Sequence, residues 1–272
     1  MNLNQSRFCN IYNLSKCEEF LSIKNGRLLV FLRELENDKL FLKEIINQIN
    51  FVRKNYGYKK GIFRKFKINN IHEFSFLRIL IYCIVRYFRP LNILETGVYY
   101  GGNTVFLLKA LSKNKKGKLT AIDLPDRKIR KKFKKNLKKY RHPAVLDSED
   151  YTEDLGPGFI IPKKYLERYE LILGEATSQI KKMKTKFDLY LHDSDHSFKY
   201  LLGEINAAEK KINKKGIMIV DDIDWSNAFY AHATKKKYYP IIFSDNGKDN
   251  LRSRIGLIKK DHKHNNKLNF TK

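Results

Sequence analysis

Hydrophobic residues follow two different spacings along this chain, and the spacing changes near residue 70. From Asp38 to Lys54 they recur every three or four positions, which predicts an amphipathic helix with Asp38 as its cap. Residues 1–70 as a whole predict a polar, helical N-terminal extension, with Tyr56–Asn70 as a linker or lid. Beyond this point short apolar runs alternate with helical patterns, which predicts a single α/β domain over residues 71–272.

The short apolar runs predict seven strands. Five of them are expected to be parallel: Asn92–Glu95, Leu119–Asp123, Glu170–Leu173, Phe187–His192 and Gly216–Asp221. Two later runs, Tyr239–Phe243 and Ser253–Ile258, flank a turn-rich segment and predict an antiparallel pair. The expected fold is therefore a Rossmann-like α/β fold with a seven-stranded, mainly parallel sheet and an antiparallel edge hairpin. Residues 124–168 are too many for an ordinary crossover and predict an insertion.

The longest apolar run, from Phe74 to Phe88, predicts a helix packed on the sheet. Arg78 and Arg86 interrupt it, and it is shorter than the roughly 20 apolar residues that a membrane-spanning helix needs. We therefore expect no transmembrane segment. The three cysteines are scattered and lack metal-ligand spacing, which favours a reducing, cytoplasmic location.

The net charge of +26 raises the question of a nucleic-acid partner, because clustered basic side chains neutralise phosphates. Lysine supplies most of the excess, and arginine is not enriched. One run, Asp126–Arg141, is strongly basic, and its apolar residues recur at every fourth position, which fits an amphipathic helix. Its basic side has two interpretations: a solvated helix surface, which we favour, and a surface that contacts phosphates or a membrane.

The stretch LNILETGVYYGGNT, residues 91–104, places a glycine-rich turn between a predicted strand and a predicted helix. Glycine lets the backbone approach a ligand closely, so this turn predicts a nucleotide-binding loop. Glu95 precedes the turn. Asp123 ends the next strand and suits the hydroxyls of a ribose, because a carboxylate accepts two hydrogen bonds. The alternative is that both carboxylates are solvated strand ends.

Further carboxylates are predicted at the same edge of the sheet. Asp193 and Asp195 follow the fourth strand, and Asp221 and Asp222 end the fifth. Carboxylates that converge repel one another unless a cation or a proton lies between them, and all-oxygen ligation suits Mg²⁺, Mn²⁺ or Ca²⁺. The alternative for each single aspartate is a helix N-cap.

Two histidines lie close to these carboxylates in the sequence. His196 is three residues beyond Asp193, and its ordinary pKa near 6.5 suits a general base at neutral pH. A histidine that caps the following helix or faces solvent is the alternative. His192 lies inside the strand pattern and is predicted to be a packed strand residue.

Taken together, these motifs resemble those of class I S-adenosylmethionine-dependent methyltransferases. The resemblance covers roughly residues 71–235 and rests on five segments: ILETGVYYGGNT, TAIDLP, ELILGEAT, FDLYLHDSDHSFKYLLGEINAA and KKGIMIVDDIDWSNAF. Within that class the chain is most similar to the metal-dependent sugar and small-molecule O-methyltransferases of the macrocin type, which are methyltransferase domain 24-like.

The resemblance implies a role for each matching residue. The residues implied to bind S-adenosylmethionine are Glu95, Gly97, Gly101, Thr104, Asp123, Gly174 and Glu175. The residues implied to bind a metal ion, Mg²⁺ or Mn²⁺, are Asp193, Asp221 and Asp222. Asp193 and His196 are the implied catalytic residues, with His196 as the general base. Glu175 stands where the family usually has aspartate, and the role of Asp195 is open.

The implied activity is an O-methyltransferase that acts on a hydroxyl of a sugar, a glycan or another small molecule, and a homo-oligomer is a possible assembly. Two alternatives are open. The first is a methyltransferase that acts on RNA or another polyanion. The second is a catalytically inactive, basic nucleic-acid-binding protein, against which the set of carboxylates argues.

Overall fold

The structure is a computed structural model, and it describes residues 3–56, 69–124, 156–244 and 254–262. Its α-helices are α1 (Leu3–Leu21), α2 (Arg27–Asn37), α3 (Lys39–Tyr56), α4 (Phe76–Phe88), α5 (Thr104–Asn114), α6 (Ala176–Lys182), α7 (Phe198–Glu209) and α8 (Ala228–Lys236). Two short 3-10 helices cover Ile71–Glu73 and Lys163–Arg168. Helices and strands alternate from α4 onward, which agrees with the predicted α/β class.

Seven strands form one sheet. They are β1 (Asn92–Thr96), β2 (Lys118–Asp123), β3 (Tyr169–Leu173), β4 (Phe187–His192), β5 (Ile212–Val220), β6 (Ile241–Ser244) and β7 (Arg254–Lys259). The spatial order is β3-β2-β1-β4-β5-β7-β6. The first five strands are parallel, and β7 pairs antiparallel with both β5 and β6. The predicted seven-stranded, mainly parallel sheet with an antiparallel edge is confirmed.

Most strand bounds agree with the predicted ones within two residues, but β5 begins four residues before the predicted Gly216. The early part is polar and exposed, which hides it from a search for apolar runs. Its register against β4 shifts between Phe187 and Leu189, so this part of β5 continues the ladder across an irregularity.

Helix α4 is the predicted helix on the sheet. Ser75 caps it, with its hydroxyl oxygen accepting a hydrogen bond from the Leu77 amide at 3.2 Å. Most of its apolar side chains are fully buried and belong to the same cluster as β1 and α5. None of the helices in the described ranges is both long enough and apolar enough to cross a membrane.

The described part of the N-terminal extension packs directly on α4 and α5. The predicted helix near Asp38 is α3, and Asp38 Oδ1 accepts a hydrogen bond from the Phe41 amide at 3.0 Å, as a capping residue does. Apolar residues of all three N-terminal helices lie in one hydrophobic cluster with α4 and α5. Ion pairs reinforce the contact: Lys109 Nζ lies 2.7 Å from Asp38, and Arg86 lies 2.7 Å from Glu34.

Several predictions from the sequence concern residues outside the described ranges. The basic run Asp126–Arg141 lies wholly outside them, and the segment Tyr56–Asn70 lies almost wholly outside them. Of the predicted insertion at residues 124–168, the structure describes Leu124 and the part from residue 156 onward, which ends in the second 3-10 helix.

Candidate active site

The candidate residues lie where parallel strands end side by side. Backbone hydrogen bonds continue between the loops beyond the strand ends: the Gly97 amide donates to Ile122 O at 2.9 Å, and the Asp193 amide donates to Thr96 O at 2.8 Å. The Asp221 amide donates to His192 O at 2.9 Å. The loops after β1, β2, β4 and β5 are therefore held together at one edge of the sheet, where α/β folds bind their ligands.

The glycines of the turn after β1 allow chain segments to meet. Gly97 has a φ of +84°, and a Cβ there would overlap the carbonyl oxygen of Asp193 and stand 2.7 Å from Ser194 N. Gly101 has a φ of +94°, and a Cβ there would lie 2.9 Å from Ile161 Cγ1. Both positions combine a left-handed backbone with a close protein neighbour, so a side chain is excluded before any ligand is considered.

The carboxylate of Glu95 is buried and lacks hydrogen-bond donors among the described residues. It is 0 % exposed, and neither carboxylate oxygen has a hydrogen-bond partner among the described residues. Burial raises the pKa of Glu95 well above its usual value, and the charges of Asp193 and Asp123 add to this effect. The hydroxyl of Thr104, at the start of α5, favours the charged form but does not offset the burial. A cationic ligand group would satisfy this carboxylate.

Asp123 organises the loop that follows β1. Its Oδ2 accepts hydrogen bonds from the amides of Val98 at 2.9 Å and Tyr99 at 2.6 Å, and Oδ1 accepts one from Leu124 at 2.6 Å. The acceptor role expected for Asp123 is thus shared with the protein's own backbone.

One candidate carboxylate caps a helix, and another holds the turn before a helix. Glu175 is the N-cap of α6 and accepts hydrogen bonds from the amides of Thr177 and Ser178 at 3.0 and 2.7 Å, while the neighbouring Gly174 amide donates to Asp123 O at 2.9 Å. Asp195 lies two residues before Ser197, the N-cap of α7, and its Oδ1 accepts from the Ser197 amide at 2.8 Å. This bond is the largest cause of the lowered pKa of Asp195. Asp195 therefore holds the turn that leads into α7 and is not the N-cap itself.

Asp193, Asp222 and His196 converge. The Nε2 atom of His196 lies 3.7 Å from Asp193 Oδ1 and 3.9 Å from Asp222 Oδ2. Asn103 Nδ2 donates to Asp193 Oδ2 at 2.7 Å and fixes that carboxylate. Burial, followed by the negative charge of Asp222, raises the pKa of Asp193 to about 7. The pair thus has a strong affinity for a proton or another cation.

His196 is available as a neutral base. Burial lowers its pKa below the ordinary value, and the backbone of Asp221, followed by the charges of Asp195 and Asp224, opposes the effect only in part. The indole of Trp225 lies beside it, with 6.0 Å between ring centroids. Trp225 is 62 % exposed, so its ring borders the open side of the site. A molecule that reaches His196 from solvent would pass this ring.

The expected metal ligands are brought together only in part. Asp193 and Asp222 share His196 as a neighbour, and Asp221 is placed at the edge by the hydrogen bond from its amide to His192 O. In the ranges that the structure describes, no group of three or more His, Cys, Asp or Glu side chains could hold a metal ion. Mg²⁺ is often held by one or two carboxylates together with water and substrate oxygens, and the Asp193–Asp222 pair fits that smaller set.

A buried polar network lies behind these residues, and the sequence analysis did not identify it. Ser194 Oγ lies 2.9 and 2.8 Å from the two carboxylate oxygens of Glu204 and 3.2 Å from His192 Nε2. His192 is fully buried in β4, which confirms that it is a packed strand residue. A glutamate on the apolar side of α7 was the available signal, since such residues are seldom buried without a partner.

Arg78 is a second residue near the site that the sequence analysis did not single out for function. Its Nη2 atom donates to Tyr100 Oη at 2.6 Å, in the loop after β1. Its positive charge favours the ionised form of Asp193. The available signal was an arginine inside the apolar run of α4.

Comparisons with known proteins agree with this geometry. A family model described as a methyltransferase domain matches residues 94–223. No curated protein matches the chain. Among solved structures, the O-methyltransferase from Bacillus cereus in complex with SAH has a TM-score of 0.51 and 15% identity, over 92% of this chain and 100% of that chain.

Two further structures have the same fold. TomG from Streptomyces achromogenes, an O-methyltransferase involved in tomaymycin synthesis and solved with SAM, has a TM-score of 0.50 and 12% identity over 79% of this chain and 89% of that chain. The SAH-bound methyltransferase PaMTH1 from Podospora anserina has a TM-score of 0.50 and 12% identity over 79% of this chain and 87% of that chain. At such identities the likeness concerns the fold. The sequence match, for its part, describes residues 94–223 as a methyltransferase domain.

Proposed function

We propose that this chain transfers a methyl group from S-adenosylmethionine to a hydroxyl oxygen of a sugar, a glycan or another small molecule, with the assistance of a divalent cation. The observation that carries the proposal is the convergence of Asp193 and Asp222 on His196 Nε2, at 3.7 and 3.9 Å. A base flanked by two carboxylates at the ligand-binding edge is suited to removing a proton from a hydroxyl.

The cofactor assignment is supported by the unmet carboxylate of Glu95. The methionine end of S-adenosylmethionine carries an ammonium group, which has three donors and a positive charge. Glu95 has two buried acceptor oxygens without partners among the described residues, beside the glycine turn and Thr104. Asp123, at the end of β2, is the proposed acceptor for a ribose hydroxyl, because its carboxylate lies beside the glycine turn and already accepts from the amides of Val98 and Tyr99.

In the proposed reaction, the cofactor supplies a methyl group that its sulfonium makes electrophilic. His196 Nε2 accepts the proton of the acceptor hydroxyl. The hydroxyl oxygen then forms a bond to the methyl carbon while the carbon–sulfur bond breaks, and the bonding electrons stay on sulfur. Asn103 holds Asp193 by the 2.7 Å hydrogen bond, which keeps the carboxylate beside the base. The protein's main contribution is alignment of these atoms.

The proposed cation would bind beside Asp193 and Asp222. Burial, followed by the negative charge of Asp222, raises the pKa of Asp193 to about 7, so a bound cation would be favoured between the two carboxylates. A bound Mg²⁺ or Mn²⁺ would lower the pKa of an acceptor hydroxyl. We propose Asp193 and Asp222 as its ligands, with Asp221 as a further ligand if its loop moves on binding.

The acceptor is proposed to stack on Trp225. This ring is 62 % exposed and lies next to the proposed base, where the apolar face of a sugar ring would find a partner. RNA as an acceptor is the alternative, and it rests on the net charge of +26 rather than on a described feature of the site. The division of the chain near residue 70, a cytoplasmic location and a homo-oligomer remain predictions.

The proposal is tested by methyl transfer from isotopically labelled S-adenosylmethionine to a panel of free sugars, nucleotide sugars and a bulk RNA sample. We expect label in a sugar or other small hydroxylated compound, as an ether that resists mild acid and base. We also expect His196→Gln to lose turnover while keeping its affinity for S-adenosylhomocysteine. Label that enters RNA, or a His196→Gln variant with wild-type turnover, would contradict the proposal.

A further inference from the structure

Arg78 is a half-buried arginine for which the described residues supply no carboxylate partner. Its guanidinium lies 5.6 Å from the ring centroid of Phe74 and 5.9 Å from that of Tyr100. Its Nε atom is buried and has no hydrogen-bond partner in the described ranges. Arg86, two turns along the same helix, differs, because it pairs with Glu34 at 2.7 Å.

An arginine in this position is costly unless something compensates its charge. Desolvation of a guanidinium among aromatic rings is unfavourable, and the single donor position used on Tyr100 leaves other N–H groups for a partner. The hydrogen bond to Tyr100, at 2.6 Å, fixes the orientation of the guanidinium. Arg78 is therefore preorganised to bind an anion.

Arg78 lies close to the part of the site that is proposed to bind the cofactor. Tyr100 lies in the glycine turn between β1 and α5, so the first turn of α4 stands at the edge of the sheet where Glu95 and Asp193 lie. Arg78 therefore lies at the same edge of the sheet as these acidic residues.

The acidic side chains at this edge suit the ammonium group of an amino acid, whereas its carboxylate needs a cationic partner such as Arg78. Glu95, Asp123 and Asp193 are acidic, and each of the latter two raises the pKa of Glu95. Such a set attracts an ammonium or a sulfonium group and repels a carboxylate. The methionine end of the cofactor carries both an ammonium and a carboxylate.

We infer that the Arg78 guanidinium, oriented by the Tyr100 hydroxyl, binds the carboxylate at the methionine end of the cofactor. The inference rests on the proposed function, which supplies the cofactor, and adds a binding residue from α4 to the site. A planar guanidinium matches a carboxylate in two parallel hydrogen bonds, which fixes the direction of the amino-acid end as well as holding it. Arg78 then aligns the sulfonium indirectly, through the position of the chain that carries it.

The test is a calorimetric binding cycle with two proteins and two ligands. The proteins are the wild type and Arg78→Gln, and the ligands are S-adenosylhomocysteine and its decarboxylated analogue, which keeps the ammonium group. We expect the wild type to bind S-adenosylhomocysteine about 10- to 100-fold more tightly than the analogue. We expect Arg78→Gln to bind both ligands with equal affinity, close to the wild-type affinity for the analogue.

Matched variants separate this role from a structural one. Arg78→Lys keeps the charge without the planar fork, and an intermediate preference for the carboxylate is expected. Tyr100→Phe removes the orienting hydroxyl, and we expect it to reduce the preference about fivefold. Arg89→Gln removes an arginine at the other end of α4, where Arg89 donates to Asn114 O at 3.1 Å, and leaves the preference unchanged.

The possible failures are distinguishable. Suppose that the wild type binds S-adenosylhomocysteine, and that Arg78→Gln weakens the binding of both ligands equally or changes the binding of neither. The proposed role of Arg78 is then overturned, while the proposed function stands. The same holds if Arg78→Gln changes only the Michaelis constant for an acceptor, because the arginine would then serve that molecule. If the folded wild type binds neither ligand, the proposed function fails, and the inference fails with it.

Discussion

Gly97 and Asp193 meet backbone to backbone, so closely that a methyl group on Gly97 would overlap the carbonyl oxygen of Asp193. These residues are nearly a hundred positions apart, and their contact joins the glycine turn after β1 to the loop that carries the proposed base. The position of the turn relative to His196 therefore depends on the absence of a side chain at residue 97.

Gly97→Ala is expected to damage both stability and ligand binding. The left-handed backbone, at a φ of +84°, costs a non-glycine residue about 1–2 kcal/mol, and the overlap with Asp193 requires one loop to move. Thermal unfolding and titration with S-adenosylhomocysteine should both register the change. Gly203→Ala in α7 is the control, since its Cβ would find Thr177 Oγ1 at a tolerable 3.3 Å. Equal behaviour of the two variants would contradict this account of the turn.

His196 should set the acid limb of the pH–rate profile. Burial lowers its pKa, so the imidazole stays neutral and competent as a base to a lower pH than an ordinary histidine. We expect turnover to fall only below pH 6.5, the ordinary value, and the limb to vanish in His196→Gln, whose residual rate is about 10²- to 10⁴-fold lower. If the residual activity of His196→Gln still showed the same acid limb in its pH–rate profile, the group that titrates there would not be His196.

Removal of divalent cations should suppress turnover without abolishing cofactor binding. The Asp193–Asp222 pair is the proposed cation site, whereas Glu95 is the proposed partner of the cofactor. We expect EDTA to stop methyl transfer, Mg²⁺ or Mn²⁺ to restore it, and Asp222→Asn to need a higher metal concentration. Asp195→Asn is the control, because the Asp195 side chain accepts from the Ser197 amide in the turn before α7. Full turnover in EDTA would show that the carboxylate pair works without a metal.

The buried carboxyl group of Glu204 is expected to make the free energy of unfolding depend on pH. Burial raises its pKa from 4.5 to about 7, although the Ser194 hydroxyl opposes the effect. Between these two pH values the folded state binds more protons than the unfolded state, so the free energy of unfolding falls as pH rises. Relative to Glu204→Gln, the wild type should lose about 3 kcal/mol between about pH 4 and about pH 8.

Denaturant unfolding of both proteins across this range measures the difference, and the contribution of other groups largely cancels. Glu209→Gln is a control with the opposite sign: burial raises the pKa of Glu209, but hydrogen bonds from Lys236 and Tyr238 outweigh it and lower the pKa. That pairing stabilises the fold above the unfolded pKa and is lost as the pH falls. A wild type that tracks Glu204→Gln at every pH would mean that Glu204 titrates normally.

The N-terminal extension should be part of the cooperative fold. Leu32 of α2 is 2 % exposed in the cluster shared with α4 and α5, so Leu32→Ala is expected to cost about 2–5 kcal/mol of unfolding free energy. Leu40→Ala is the matched control, because Leu40 is 82 % exposed and its loss should change stability by about 0.5 kcal/mol or less. A single unfolding transition with these two shifts supports the shared core. A separate early transition for the extension would contradict it.

The fold was largely predictable from the sequence because its signals are local. Alternating strand and helix patterns fixed the class, and Asp38 and its helix were confirmed as a cap and α3. The polar start of β5 was missed because its pairing with β4 passes through an irregular register, which leaves no apolar pattern. The position of each strand end followed from the parallel sheet, and this placed the candidate carboxylates at one edge.

The details of the site were less predictable because they depend on contacts between distant residues. Gly97 was assigned to ligand approach, whereas its first constraint is the Asp193 backbone. Asp195 gave the same sequence signal as the other strand-end carboxylates, and only the structure separates its hydrogen bond to the Ser197 amide from the Asp193–Asp222 pair. Arg78 looked like an interruption of an apolar run until its contact with Tyr100 brought it to the site.

A calorimetric titration of the wild type and of Glu95→Gln with S-adenosylhomocysteine tests the proposed cofactor site most directly. We expect a dissociation constant on the order of micromolar for the wild type, and binding weaker by about tenfold or more for Glu95→Gln, because the ammonium group would lose its charged partner. Absence of binding heat from folded wild-type protein, with and without Mg²⁺, would contradict the assignment of the glycine turn and Glu95 to the cofactor.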